Sequence, residues 1–104
     1  MLSANSIKWH HAFSAGVGST AALIKFCEEH DRPVPQLRAV LDALEADDRR
    51  AAAEAFHSIP FGGMMCFNDW FPPAKLENET PEYVSEVFEA LTERWYRLAK
   101  LLLQ

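Results

Sequence analysis

Positive charge is scarce in this chain. Ten Lys and Arg stand against fifteen Asp and Glu, giving a formal net charge of −5 and a pI near 5.3. Non-specific nucleic-acid binding needs clustered bases to displace counterions from phosphate, so the composition argues against it. An anionic membrane surface is disfavoured for the same reason. A basic protein partner suits the balance better.

Cysteine is also rare. Cys27 and Cys66 are the two present, too few for a disulfide framework, and a reducing cytoplasm is the expected setting. The opening MLSANSIKWHHAFSAG has neither the basic start nor the continuous apolar stretch of a signal peptide. No run approaches the roughly 18 consecutive apolar residues of a membrane span. Asn78-Glu79-Thr80 has the form of a glycosylation acceptor, but without a secretory signal it is read as a chance match. Sustained period-two alternation is missing, so no sheet is expected. Repeats and low-complexity runs are missing too. What remains is an ordinary globular composition over 104 residues, 49% hydrophobic and 24% charged. This predicts one domain with a core of its own.

Helical signals run through most of that domain. At the C-terminal end, Thr80-Pro81 supplies an N-cap and a proline at the first helical position. Val84, Val87, Phe88, Leu91, Trp95, Leu98 and Leu102 then recur at three- and four-residue spacing, within an arc of about 100°. A helix from 81 to about 103 follows. Pro35 opens another, with Leu37, Val40, Leu41 and Leu44 on one face and a stop near Ala46. Asp47-Asp48 offers the cap for a third, alanine-rich helix ending before Pro60. In the first third, Trp9, Phe13, Val17, Thr20, Ile24 and Cys27 keep a helical rhythm despite Gly16 and Gly18. Either one helix runs from about 6 to 30, or residues 1–18 form a short separate helix or flexible arm and Ser19 caps a second one. The fold class expected is all-α: a small bundle of four to five helices with one long, ordered, aromatic-rich loop over about 58–80.

That loop contains FGGMMCFNDWFPP, residues 61–73. It has the glycines and prolines of a connection and the apolar content of a core. Loops this long within a compact domain tend to be functional or ordered by their own side chains. Gly62-Gly63 is expected to allow positive φ where the chain leaves the third helix. Phe61, Met64 and Phe67 are expected to tuck beneath the helices, with Asn68-Asp69 making a turn. A bundle this small cannot easily bury Trp9, Trp70, Trp95 and seven phenylalanines, so the Trp70-Phe71-Pro72-Pro73 end is expected to stay exposed.

Phe61-Gly62-Gly63-Met64 followed by Phe67-Asn68-Asp69 is similar to the GGM-G-S-(F/L)-N-D core of a group of short, largely uncharacterised bacterial all-helical proteins. The layout matches as well. One helix ends before the Gly-Gly pair, and a C-terminal helix carries Trp95-Tyr96-Arg97-Leu98-Ala99. The likeness covers residues 22–102 and departs at Met65-Cys66, where the group tends to have Gly-Ser. It implies a small accessory or immunity-type protein of the sort encoded beside bacterial toxins.

Candidate chemistry is thin. Cys27 and His30 are spaced to chelate on one helix, and Glu54 and His57 form an E-x-x-H pair. A di-iron bundle needs two such pairs with further carboxylates, and a structural zinc needs four clustered ligands. His10-His11 has no ligand spacing. Cys66 between Met65 and Phe67 reads as an inert thiol, and no phosphate-cradling motif occurs. Neither catalytic residues, a metal nor a cofactor is therefore predicted.

The last helix carries a more distinctive pattern. Glu82, Glu86, Glu89 and Glu93 fall within an arc of about 60°, nearly opposite the apolar stripe. With Glu77 and Glu79, six acids and no base lie between Leu76 and Glu93. The leading expectation is a non-catalytic protein-binding module, in its most specific form an immunity or antitoxin-type protein that occludes a basic toxin or enzyme. Asp69, Trp70 and Phe71 would anchor the partner, and Glu82, Glu86, Glu89 and Glu93 would steer it. Two alternatives stand beside it. One is a self-associating domain that buries the loop in a homodimer. The other is a small metal-dependent enzyme built on Glu54, His57, Cys27 and His30.

Overall fold

Among the described residues four α-helices share one core: α1 (Ala4–Glu29), α2 (Pro35–Glu45), α3 (Arg49–His57) and α4 (Pro81–Leu103). The computed structural model describes residues 4–61 and 67–103, and no strand occurs among them. The expectations for residues 62–66 and for the Trp9 side chain lie outside this description. Among the described residues no helix is long and apolar enough to cross a membrane.

α1 is continuous through both glycines. The hydroxyl of Ser19, one candidate for a second N-cap, instead bonds back to the Gly16 carbonyl at 3.3 Å, and that of Thr20 does so at 2.7 Å. Gly16 has a packing role: a Cβ there would sit 2.4 Å from Leu102 Cδ1 of α4. Helix propensity alone loses about 1 kcal/mol at each glycine. Burial of the α1–α4 seam outweighs it, as tertiary packing generally does.

The breaks between helices follow from local chemistry. Asp31 takes φ 62° after α1, and Arg32 N–H returns to the Cys27 carbonyl at 2.8 Å. Asp47 repeats the device after α2, with φ 56° and Asp48 N–H on the Ala43 carbonyl at 2.8 Å. Both are Schellman-type stops with aspartate where glycine is commonest. Asp48 then caps α3 through the Ala51 N–H at 3.0 Å. Thr80 Oγ1 caps α4 through the Tyr83 N–H at 3.1 Å.

α1 packs chiefly on α4 and α2 on α3, with α1–α2 and α3–α4 closing the ring of contacts. α1 and α4 run antiparallel: Gly16 meets Leu102, whereas Phe26 stacks near Phe88 with ring centroids 6.0 Å apart. Arg49, at the start of α3, donates to the Leu102 carbonyl at 3.0 Å and meets one of the orphan acceptors at the end of α4. The stripe read from the sequence faces inward, and Trp95 is 1% exposed. The rings of Phe56, Phe61, Phe67 and Tyr96 surround it, with centroids 5.5 to 6.5 Å away. Truncating such a residue to alanine costs roughly 3–5 kcal/mol.

Candidate functional site

Three consecutive residues at the end of α1 hold the long loop in place. His30 is buried and stacked on Phe26 with centroids 4.1 Å apart. Its Nδ1–H donates to the Phe26 carbonyl at 2.7 Å, because a carbonyl can only accept, and its Nε2 meets Glu79 Oε1 at 3.1 Å. Asp31 pairs with Lys75. Arg32 donates to the Phe67 carbonyl at 2.8 Å, and its guanidinium lies 5.0 Å from the Phe67 ring centroid and 4.8 Å from that of Trp70. A second bond closes the loop on itself, from Phe67 N–H to the Pro60 carbonyl at 2.8 Å.

Glu79 completes the clamp from the other side. Its Oε1 accepts the Leu76 N–H at 2.8 Å and the Lys75 N–H at 3.1 Å. The Leu76 backbone N–H first, then that of Lys75 and the His30 side chain, hold this carboxyl below its ordinary value against the opposing effect of burial. Glu79 was expected to extend the acidic field of the loop. It is turned inward instead, because the backbone donors of a tight turn offer it more than solvent does.

Trp70 also departs from expectation. It is half-buried, edge-on to Phe88 at 5.0 Å and to Phe26 at 6.4 Å, and Pro72 is buried beside it in sequence. Arg32 is what makes the difference, since a cation over the indole face fixes the ring against the bundle. Phe71 does stay out, at 83% exposed. Of the seven phenylalanines it alone is exposed. Asn68 and Asp69 are exposed at the turn, as read from the sequence.

Between this loop and α4 lies a groove of about 670 Å³. That size falls within the range of roughly 300–1,000 Å³ typical of ligand sites. Phe61, Trp70 and Phe71 form one wall. The other is the face of α4 that carries Glu89, Thr92, Glu93 and Tyr96, and Arg97 and Lys100 stand at its far end. Phe61 stacks on Tyr96 with centroids 4.1 Å apart and planes 5° from parallel, and the Lys100 ammonium lies over the Tyr96 ring. Thr92 is 4% exposed, and its hydroxyl has no hydrogen-bond partner among the described residues; the same holds for the buried Trp95 Nε1. A buried polar group left unmatched in this way costs about 1–3 kcal/mol.

The groove brings together four of the seven residues singled out in the sequence: Trp70, Phe71, Glu89 and Glu93. Glu82 and Glu86 are exposed on the neighbouring part of α4 and do not line it. Asp69 is exposed at the loop turn, also outside the lining. Glu93 Oε1 accepts from Arg97 Nη2 at 2.5 Å, while Glu82, Glu86 and Glu89 form no ion pair among the described residues. The stripe's unopposed charge is thus in its N-terminal part.

The candidate chelating pairs do not converge. His30 is engaged at both ring nitrogens, and Cys27 is fully buried beside it in α1. Burial pushes the Cys27 thiol up to about 11, against the pull of Arg32. A thiol held neutral at that level is a poor nucleophile and a poor ligand. Glu54 and His57 are both exposed, the former 3.4 Å from Arg50 and the latter against the Phe56 ring. Among the described residues no three His, Cys, Asp or Glu side chains are grouped to hold a metal ion.

Sequence reasoning missed Arg32 altogether. A single arginine before Pro33 has no periodic signal, and its role exists only once the loop has folded back over it. The fold and the site together define a small all-α domain with an aromatic groove beside a charged helix face. No family model matches the chain, and no curated protein or solved structure matches it.

Proposed function

We propose that this is a non-catalytic protein-binding module that docks a basic partner in the groove between the 68–71 segment and α4. The observation that carries the reading is the placement of Phe71. A phenylalanine 83% exposed costs the free protein burial it would otherwise gain. It stands at the edge of an aromatic groove whose other wall carries Glu89. Glu82 and Glu86 extend the negative charge along the same helix. Exposed aromatics of this kind act as anchors, and the flanking charge raises the encounter rate of a basic partner and sets its orientation. Arg32 holds the Phe67 carbonyl, and His30 and Asp31 hold the side chains of Glu79 and Lys75, so little ordering entropy is expected to be lost on binding.

The resemblance of the 61–69 segment to small immunity-type bacterial proteins favours the most specific form of the proposal. In that form the partner is a basic toxin or enzyme, met in the cytoplasm and inactivated by occlusion. The test is the affinity of the purified partner for the wild type and for Glu86→Lys/Glu89→Lys. A loss of tenfold or more supports the reading. Equal affinities refute it.

A further inference from the structure

We infer that the same face of α4 docks a second copy of this chain, as an antiparallel pair of α4 helices related by a two-fold axis near Glu93. The inference shares its surface with the partner-binding reading and makes the second copy the resting occupant that a basic partner displaces.

Charge along this face of α4 changes sign at Glu93. Counting from Glu93, Glu89 and Glu86 lie four and seven residues before it, and Arg97 and Lys100 lie four and seven residues after it. All five are exposed. At 100° per residue they occupy one arc of about 80°. A two-fold axis across Glu93 reverses the helix direction. It thereby lays the acidic half of one copy along the basic half of the other, twice over. Glu86 then faces Lys100 and Glu89 faces Arg97 of the other copy, while the two Glu93 carboxylates meet at the axis, each already paired with Arg97 of its own chain. A parallel arrangement would set acids against acids, so the pattern also selects the orientation.

Apolar surface accompanies the charge. Glu89, Glu93, Arg97 and Lys100 all line the groove that Phe71 edges, so the pairing faces the two grooves toward each other and covers both Phe71 rings. Thr92 sits in the same lining with a hydroxyl that has no partner among the described residues. With 23 residues α4 is roughly 34 Å long. Together with the loop, that length is compatible with the ~1,200 Å² of total buried surface that a specific interface requires. The isologous geometry is that of the commonest oligomers.

Light scattering after size exclusion tests this, with the chain at tens of micromolar. The wild type is expected at twice its monomer mass of 11.8 kDa. Glu86→Lys/Glu89→Lys leaves four bases and Glu93 on the face, and Arg97→Glu/Lys100→Glu leaves only acids. Each variant alone is expected to be monomeric, with self-association at least tenfold weaker. An equimolar mixture of the two is expected to return to the dimer mass. Recovery in the mixture also shows that both variants are folded. A monomeric wild type overturns the inference, as does a dimer indifferent to both variants or a mixture that stays monomeric. None of these outcomes bears on whether a basic partner binds, which is read separately by cross-linking from position 71.

Discussion

His30 Nε2 lies 3.1 Å from Glu79 Oε1, across 49 residues of chain. The contact joins the end of α1 to the last turn before α4, and Asp31–Lys75 and Arg32–Phe67 tie the intervening loop at two further points. The loop that forms one wall of the groove is therefore part of the folded frame, and its stability depends on a handful of polar contacts that can be removed one at a time.

Glu79 gives a pH dependence of known sign. Its folded-state carboxyl titrates below the ordinary value of 4.5, chiefly through the Leu76 N–H. The stability it contributes is fully present above 4.5 and is lost as pH falls through the lower, folded value. Urea unfolding of the wild type as a function of pH should show this acid limb. In Glu79→Gln the limb should be shallower, and stability at neutral pH should be lower. Parallel pH profiles for the two proteins would contradict the assignment.

Arg32→Ala should cost about 2 kcal/mol, from the lost charged hydrogen bond to Phe67 and the lost cation over two rings. The Trp70 emission should move to the red as the indole gains solvent. A variant with unchanged stability and emission would mean that the loop is held by its aromatics alone.

Thr92→Val should stabilise the protein by about 1 kcal/mol, because it replaces an unmatched buried hydroxyl with a methyl of the same shape. Chemical denaturation measures it. A loss of similar size would show that the hydroxyl has a partner in solution.

The two glycines of α1 should respond in opposite directions. Gly18 has open space where a Cβ would go, so Gly18→Ala should gain about 1 kcal/mol of helix propensity. Gly16→Ala drives a methyl into Leu102 and should lose about 1–3 kcal/mol by overpacking, less the same propensity gain. Thermal unfolding of the pair separates the two effects.

The helices were legible because their signals are local. Thr80-Pro81 marks the start of α4, and the three- and four-residue spacing of Val84, Phe88, Trp95 and Leu102 marks its buried face. Asp48 was readable as a cap for the same reason. The continuity of α1 was not legible, since it depends on Leu102, a residue 86 positions after Gly16. Nor was the inward turn of Glu79 or the half-burial of Trp70. Glu79 turns in on the backbone donors of Lys75 and Leu76 as well as on His30, 49 positions away, and Trp70 packs under Arg32, 38 positions before it; no periodicity records such meetings. The acidic face of α4 was visible in the sequence, whereas the groove beside it came from the loop's fixed position.

The central claim is that the groove beside Phe71 is where a partner sits. The most direct measurement is site-specific photocross-linking in cells of the source organism, with a benzophenone amino acid at position 71 and, as control, at exposed Gln36 on α2. The account predicts a defined adduct with a basic protein from position 71, absent from position 36 and lost when Glu86→Lys/Glu89→Lys is added. Adducts that are equal from both positions, or unaffected by the charge reversal, would contradict it.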